Sequence, residues 1–515
     1  MEVIKMKPKK FLKLVLSLFL FFSLTILTLI SCQTPNDNTK NPTQSQSSGD
    51  GQTLSGGEEE TGPPEFTPVE GANHGGYKFR ILGYDGKAKG TWQAAAISEI
   101  IAEEETGDPI NDAFYKRNRA VESLYNITFD IVPVTYPNRD DFANKFTKAT
   151  LAGDDLFDAA FVLGMSLPKI LSRNNITFDL LKLPSLDLSK SWWDQNSAKA
   201  MSVGGKLNTV IGDVNLYSAY ATVCVFAHKQ LMQDYSVPNL YQYVKDGKWT
   251  WDVMYEIMKS SVKDLNGDGK IDKDDQVGLF MQNLHLYDSI NSAGEYMTPK
   301  NGEDIPVFAP NMDKITAIAN KLVPIFSDKT TTIESGVVTG FNNAFFDFIM
   351  PKFRDGGMMF HINQLMLSFE LRNMEADFAI LPLPKIDETQ ANYGSVISQW
   401  WSTFTVIPIT CTDTDRTGNI LEAMGYYSQK YVMPAYYDIT VTNKLTRDED
   451  SIEMIEIMFK NRRYDLAYFY DWGGIQSVLT GVSSSGNPGS IVSQLEKAEP
   501  KINAAIQKTL DELMN

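Results

Sequence analysis

Between residues 77 and 164 three apolar, strand-like runs alternate with two amphipathic stretches, and this alternation limits the fold more than any other feature. "YKFRILGY" (77–84) and "ITFDIVPV" (127–134) alternate at a period of two, and "FDAAFVLG" (157–164) is a short buried run. Between the first two, "INDAFYKRNRAVESLYN" (110–126) repeats Ala113, Phe114, Arg117, Val121 and Leu124 at helical spacing. "NKFTKATLAG" forms a second helix that Gly153 closes. Strand, helix, strand, helix, strand predicts an open α/β sheet with crossover helices. The alternation resumes with a strand at 402–409 and helices over 416–432, 451–462 and 491–515, whereas 215–377 reads as richer in helices and turns. No unit of twenty to fifty residues repeats, which argues against solenoids and propellers. At 515 residues the chain exceeds one small core and calls for two or more lobes.

The first residues are a targeting segment. Lys5, Lys7, Lys9, Lys10 and Lys13 precede an apolar run over 14–30 that ends in Leu29, Ile30, Ser31 and Cys32. This end resembles the bacterial lipobox, in which a small residue precedes a Cys that is acylated, palmitate included, and becomes the new N-terminus. An ordinary secretory signal or an uncleaved anchor helix are the alternatives. Residues 1–31 are thus a lipoprotein signal peptide, and 32–76, rich in Ser, Thr, Asn, Gln, Gly and Pro, are the lipidated Cys32 and a disordered tether. The expected location is the extracytoplasmic face of the cell membrane of a Gram-positive-type bacterium. A net charge of −17 argues against nucleic acid, whose phosphates need clustered Lys and Arg. Of the remaining cysteines, Cys224 and Cys411 lie in apolar runs and are expected as buried free thiols.

Two constellations suggest ligands. "DLNGDGKIDKDD" (264–275) offers oxygen donors at alternate positions: Asp264, Asn266, Asp268, the Lys270 carbonyl, Asp272 and Asp275, with Gly269 for the sharp turn. A hard cation takes six to eight oxygens, so the loop predicts structural Ca²⁺, with an Asp where a longer Glu is usual in last position. One such loop inside a large domain reads as a brace rather than a sensor. Secondly, tryptophans come in pairs: Trp192/Trp193 in "SWWDQN", Trp249/Trp251 in "GKWTWD" and Trp400/Trp401 in "SQWWS". Indoles stack on the C–H faces of sugar rings while neighbouring polar groups bond hydroxyls. Tryptophans also pack cores, and Trp251, following a Thr250 cap, reads as core. The four histidines, among them His361, form no metal motif, and no nucleophile or phosphate-loop motif occurs.

The block "YSVPNLYQYVKDGKWTWDVMYEIMKSSVKDLNGDGKIDKDDQVGL", with "AFYKRNRAVESLYNI", "SWWDQ", "DFAILPLPK" and "PAYYDITVTNKLTRDEDSIEMIEIM", resembles the extracellular solute-binding proteins (family 1) of carbohydrate ABC importers over most of 77–515. The resemblance implies a two-lobe, type II periplasmic-binding-protein-like fold, each lobe an open α/β sheet, with a hinge between. Lobe 1 is expected over 77–208 and 383–470 and lobe 2 over 209–382 and 471–515, with crossings near 204–213, 378–384 and 471–474. It also implies a monomeric, non-enzymatic receptor that delivers a carbohydrate to ABC permease subunits. Sequence type selects Trp192, Trp193, Asp194, Tyr217, His361, Trp400, Trp401, Tyr470 and Trp472 as ligand candidates in the interlobe cleft. A surface-anchored carbohydrate-active enzyme is the alternative, and a calcium-dependent adhesion or docking module is a third reading.

Overall fold

The computed structural model describes residues 66–87, 92, 98–135, 139–173, 175–441 and 449–514. The expected signal peptide, Cys32 and the tether up to residue 65 lie outside the described residues. The last residues assigned to the tether are packed: Phe66 stacks on Tyr426 at 4.9 Å, and the N–H groups of His74 and Gly76 donate to the carbonyls of Tyr125 and Asn126. One large apolar ring was enough to dock this polar stretch.

Eleven strands are described: β1 (Tyr77–Tyr84), β2 (Ile127–Val134), β3 (Ala159–Leu163), β4 (Val223–His228), β5 (Val277–Met281), β6 (Thr332–Glu334), β7 (Met358–Gln364), β8 (Phe378–Leu381), β9 (Ser395–Val396), β10 (Thr403–Val406) and β11 (Arg462–Arg463). The first sheet has the order β10-β3-β1-β2. β1 runs parallel to β2 and β3, and β10 closes the edge antiparallel to β3. The helix Pro109–Tyr125 makes the first crossover. Asp108 caps its start by accepting from the N–H groups of Ile110 and Asn111, and Asn126 ends it in the left-handed region at φ 49°. Its buried face holds Ala113, Phe114, Arg117 and Val121, as the spacing predicts. Every side chain of β3 is buried, as befits a strand covered on both faces.

The second sheet, β6-β5-β7-β4-β8, lies in the region read as helices and turns. Its strands are short; β4, β5 and β8 are wholly buried and β6 and β7 expose only part of their last residue, so they show no alternation for the eye to find. β4 pairs antiparallel with both β7 and β8, while β5 runs parallel to β6 and β7. The chain passes from one sheet to the other along 205–222, where Val210 pairs with Thr405 of the first sheet and the carbonyl of Thr222 accepts from Leu365 beside the second. The helix Glu449–Lys460, which the expected boundaries put with the first sheet, packs on β8 through Ile455 and Met458. Past 471–474, where Asp471, Gly473 and Gly474 take positive φ, the helices Ile475–Ser485 and Ile491–Met514 cover Met312–Ser327 beside the second sheet. Cys224 and Cys411 are buried free thiols. No helix among the described residues is long and apolar enough to cross a membrane.

Gly164 controls how the first sheet is completed. A Cβ there would stand 2.7 Å from Ser402 Oγ and 2.8 Å from the Gln399 carbonyl. Without one, residues 399–402 lie directly on the end of β3: Gly164 N–H donates to Ser402 (2.8 Å) and Met165 N–H to Gln399 (3.0 Å). This close approach presents Trp400 and Trp401 at the sheet edge.

Candidate functional site

In the first sheet β2 lies on one side of β1 and β3 on the other, so the winding reverses between β1 and β3. Open α/β sheets hold ligands in the crevice at the carboxyl ends of the strands flanking such a reversal. Three segments reach that edge. Trp92 and 98–100 follow β1, 164–166 follow β3, and 399–402 precede β10, whose first residue Thr403 pairs with Leu163 at the end of β3.

Aromatic rings from both sheets' sides meet there. Trp401 stands edge-to-face with Trp92 at 6.1 Å. Trp92 in turn packs on Phe345 at 4.7 Å and Phe346 at 5.2 Å, which belong to the π-helical turn Phe345–Ile349 leading toward β7. Phe345 stacks over His361 of β7 at 5.8 Å and 25°. Trp400 is 37% exposed. Burial lowers the His361 imidazole to about 3, so the ring is neutral at physiological pH. Its Nε2 faces Asn363 Nδ2 at 3.2 Å, while its Nδ1 and Ser402 Oγ are buried with no hydrogen-bond partner among the described residues. Flat apolar faces beside unsatisfied polar atoms suit a ring that is apolar on its faces and hydroxylated on its rim.

A buried carboxylate ties the floor together. Glu99 accepts from the N–H of Tyr217 (2.6 Å) and from Thr403 Oγ1 (2.9 Å), joining the segment after β1 to the crossing segment and to β10. Burial pushes it up to about 7, against the lowering effect of those bonds and of nearby Arg117. Arg117 itself donates to the carbonyl of Glu99 (2.8 Å) and to Asn118 Oδ1.

The residues selected by sequence type divide. Trp400, Trp401 and His361 fall in this cluster, and Tyr217 lies beneath it. Trp192 and Trp193 do not: their rings are buried in the core, and both indole N–H groups donate to Glu422 of the helix Thr414–Tyr427, at 3.1 and 2.9 Å. Gly425 and Gly212 make room for them, since a Cβ at either would stand 2.5 Å from an indole carbon. Asp194 caps the helix Gln195–Met201 and holds Arg462 (3.3 Å) and Tyr464 (2.7 Å). Tyr470 stacks on Trp472 at 4.6 Å, and the Trp472 indole donates to Thr509 of the last helix, away from the cluster. Trp251 is core, capped by Thr250 as expected. The sequence reading missed Trp92, Phe345, Phe346 and Glu99. A single Trp just past the first predicted strand, at the edge where ligands collect, was the available signal for Trp92.

The loop 264–275 lies between the helix Trp251–Ser261 and β5, its base closed by the paired Lys263 and Gln276. Gly267 and Gly269 take φ of 76° and 78°. The oxygens are of the type and order a hard cation needs. They are turned onto the loop's own N–H groups: Asp264 accepts from Gly267 and Gly269, Asn266 from Asp268, Asp268 from Lys270, and Asp275 from Leu265 and Asp272. Among the described residues no three acidic or histidine groups gather closely enough to hold an ion.

Two α/β sheets joined by returning segments, with an aromatic cluster at the strand ends, define a two-lobe α/β architecture. The chain has the fold of carbohydrate ABC substrate-binding proteins. It superposes on the cyclic α-maltosyl-1,6-maltose binding protein of Arthrobacter globiformis with TM-score 0.54 at 11% identity, over 84% of this chain and 100% of that one. An ABC substrate-binding protein of Listeria monocytogenes, solved in complex with cycloalternan, gives 0.52 at 12% identity over 84% and 99%. The GacH receptor of Streptomyces glaucescens, solved unliganded and with acarbose, gives 0.51 at 11% identity over 83% and 99%. No protein-family model matches the sequence, and no curated protein matches it.

Glu99 makes the floor sensitive to pH. The unfolded carboxyl ionises near 4.5 and the folded one near 7, so the folded state holds the extra proton between those values. Stability contributed by this group falls as pH rises from 4.5 to about 7 and is level above. Urea titrations across that range are expected to give a flatter profile for Glu99→Gln than for the parent; parallel profiles would contradict the assignment.

Proposed function

We propose that this protein is the substrate-binding component of an ABC importer, capturing a sugar or oligosaccharide between its lobes and handing it to permease subunits. The observation that carries the reading is the meeting of Trp401 and Trp92 with Phe345, Phe346 and His361, drawn from both lobes, at the carboxyl ends of β1 and β3. Stacking on a pyranose face needs no charge. The nearby His361 is neutral and supplies a bonding nitrogen without ionic demand. The two aromatic walls touch in this structure, so a ligand would enter as the lobes open and be held between the walls as they close again. The named neighbours are binding proteins, which favours capture over the alternative of a carbohydrate-active enzyme.

The lipobox-like end at Cys32 supports a receptor held by lipid on the outer face of the membrane, with the polar stretch before residue 66 as its leash. The donor order of the 264–275 loop supports a structural Ca²⁺ that would draw the Asp264 and Asp268 carboxylates off the loop N–H groups. The loop lies next to β5 and against the turn that carries Phe345 and Phe346, with Ile271 in the same apolar cluster and Lys273 Nζ over the Phe348 ring at 5.6 Å.

Calorimetric titration with acarbose, cycloalternan and linear maltooligosaccharides tests the cleft. At least one is expected to bind, and Trp401→Ala or Trp92→Ala to weaken it by about tenfold, the effect of losing one stacked ring worth roughly 1.5 kcal/mol. If no saccharide in a broad panel raises the melting temperature, the sugar reading fails. Mass spectrometry of the protein extracted from membranes should show a chain that begins at an acylated Cys32; a chain that still carries residues 1–31 would leave an uncleaved anchor as the better account. Calcium is expected to raise the melting temperature of the parent and not that of an Asp264→Asn, Asp268→Asn double variant. Equal responses would remove the ion from this loop.

A further inference from the structure

Away from the aromatic cleft, a cavity of about 500 Å³ opens among the helix Gln195–Met201, residues 296–304 and residues 462–466. Its walls carry four cationic side chains, Lys199, Lys300, Arg462 and Arg463, and two carboxylates, Asp304 and Asp465. In a chain of net charge −17 this local excess of positive charge runs against the whole.

Neither carboxylate balances the arginines. Asp304 is occupied by Lys300 Nζ (2.8 Å), Ser202 Oγ (3.0 Å) and the Gly205 N–H (3.2 Å). Asp465 is buried and accepts from the N–H groups of Met297 (2.8 Å) and Ala467 (3.1 Å), Thr298 Oγ1 (2.9 Å) and Tyr287 OH (3.1 Å). Its lone pairs are spent holding the cavity wall. Arg462, with its side chain only 10% exposed, makes one ion pair, through Nη1 to Asp194 at 3.3 Å. Its Nε–H is buried with no acceptor, and so is that of Arg463. Among the described residues Arg463 and Lys199 have no ion-pair partner. A buried N–H left without an acceptor is unfavourable. Arg462 already has Asp194 and, through Nη2, Thr222 Oγ1 at 3.4 Å, whereas Arg463 has no carboxylate partner among the described residues and lacks an oxyanion.

We propose that this cavity is a second binding site, selective for a small oxyanion, either inorganic phosphate or the carboxylate of an acidic sugar, held by Arg463 with Lys199 at the mouth. A planar guanidinium matches two oxygens of a carboxylate or phosphate at once, which a lone ammonium cannot. The three wall segments come from distant parts of the chain, so an anion bridging them would stabilise the folded protein by mass action. The site shares no residue with the aromatic cluster and does not depend on what the cleft binds.

Thermal denaturation and calorimetry of the whole protein in low-salt buffer test this with three probes: inorganic phosphate, D-galacturonate and neutral D-galactose. Phosphate, galacturonate or both should raise the melting temperature by several degrees, while galactose and potassium chloride at matched ionic strength should not. Which anion acts separates a free ion from an acidic sugar. Arg463→Gln is expected to weaken the responsive anion by about tenfold, the loss of one bidentate charge-assisted pair. Lys199→Gln, at an exposed position that folding does not need, should weaken it by a smaller factor. Lys245→Gln, whose ammonium pairs elsewhere with Asp450 and Glu453, should leave it unchanged. Circular dichroism checks that each variant is folded. The proposal is overturned if neither anion exceeds the chloride control, if galactose acts equally well, or if folded Arg463→Gln and Lys199→Gln both bind as the parent does.

Discussion

The seam between β3 and residues 399–403 is the interaction on which the remainder rests. It joins chain segments more than two hundred residues apart, and it forms only because position 164 has no side chain. Through it β10 completes the first sheet, the buried Glu99 finds Thr403, and the exposed Trp400 and packed Trp401 arrive at the strand ends. Everything between 165 and 398, including the whole second sheet, is the excursion that this seam closes. Such a distant pairing is slow to find, since loop entropy opposes it until both sheets exist.

That geometry explains why one cleft can draw on both lobes. The segment before β10 and the residue after β1 put indoles on one wall, while the turn before β7 puts phenylalanines on the other. Buried polar atoms that lack hydrogen-bond partners among the described residues, on His361 and Ser402, lie behind the same rings. A protein interior seldom leaves such atoms unpaired without a use for them. A different cavity is lined by Arg463 and Lys199, which have no ion-pair partner among the described residues, so the two regions differ in their chemistry.

The legible part of this chain was local. The three strands and two helices of 77–164 followed from period and caps, and Thr250 capped its helix where the sequence put it. The second sheet was hidden because buried short strands read as plain apolar runs, indistinguishable from buried helix. The tryptophan pairs were ambiguous for a related reason. "SWWDQN" and "SQWWS" both set a Trp pair among small polar residues, yet Glu422, more than two hundred residues away, claims both indoles of the first. Nothing within either hexamer or pentamer encodes that partner.

By itself the sequence determined the element types of the first lobe, its α/β class, the turn chemistry of the 264–275 loop, and the acidity that argues against a nucleic-acid surface. Those depend on neighbours along the chain, on side-chain period, and on φ values that glycine alone adopts readily. Only the tertiary structure decided which tryptophans face the cleft, that Phe345 and Phe346 oppose Trp92, and that Glu99 lies under the site. It alone also gathered Lys199, Lys300, Arg462 and Arg463 around one cavity. These outcomes turn on long-range packing and on which buried polar group finds a partner, and neither is a property of any short stretch of sequence.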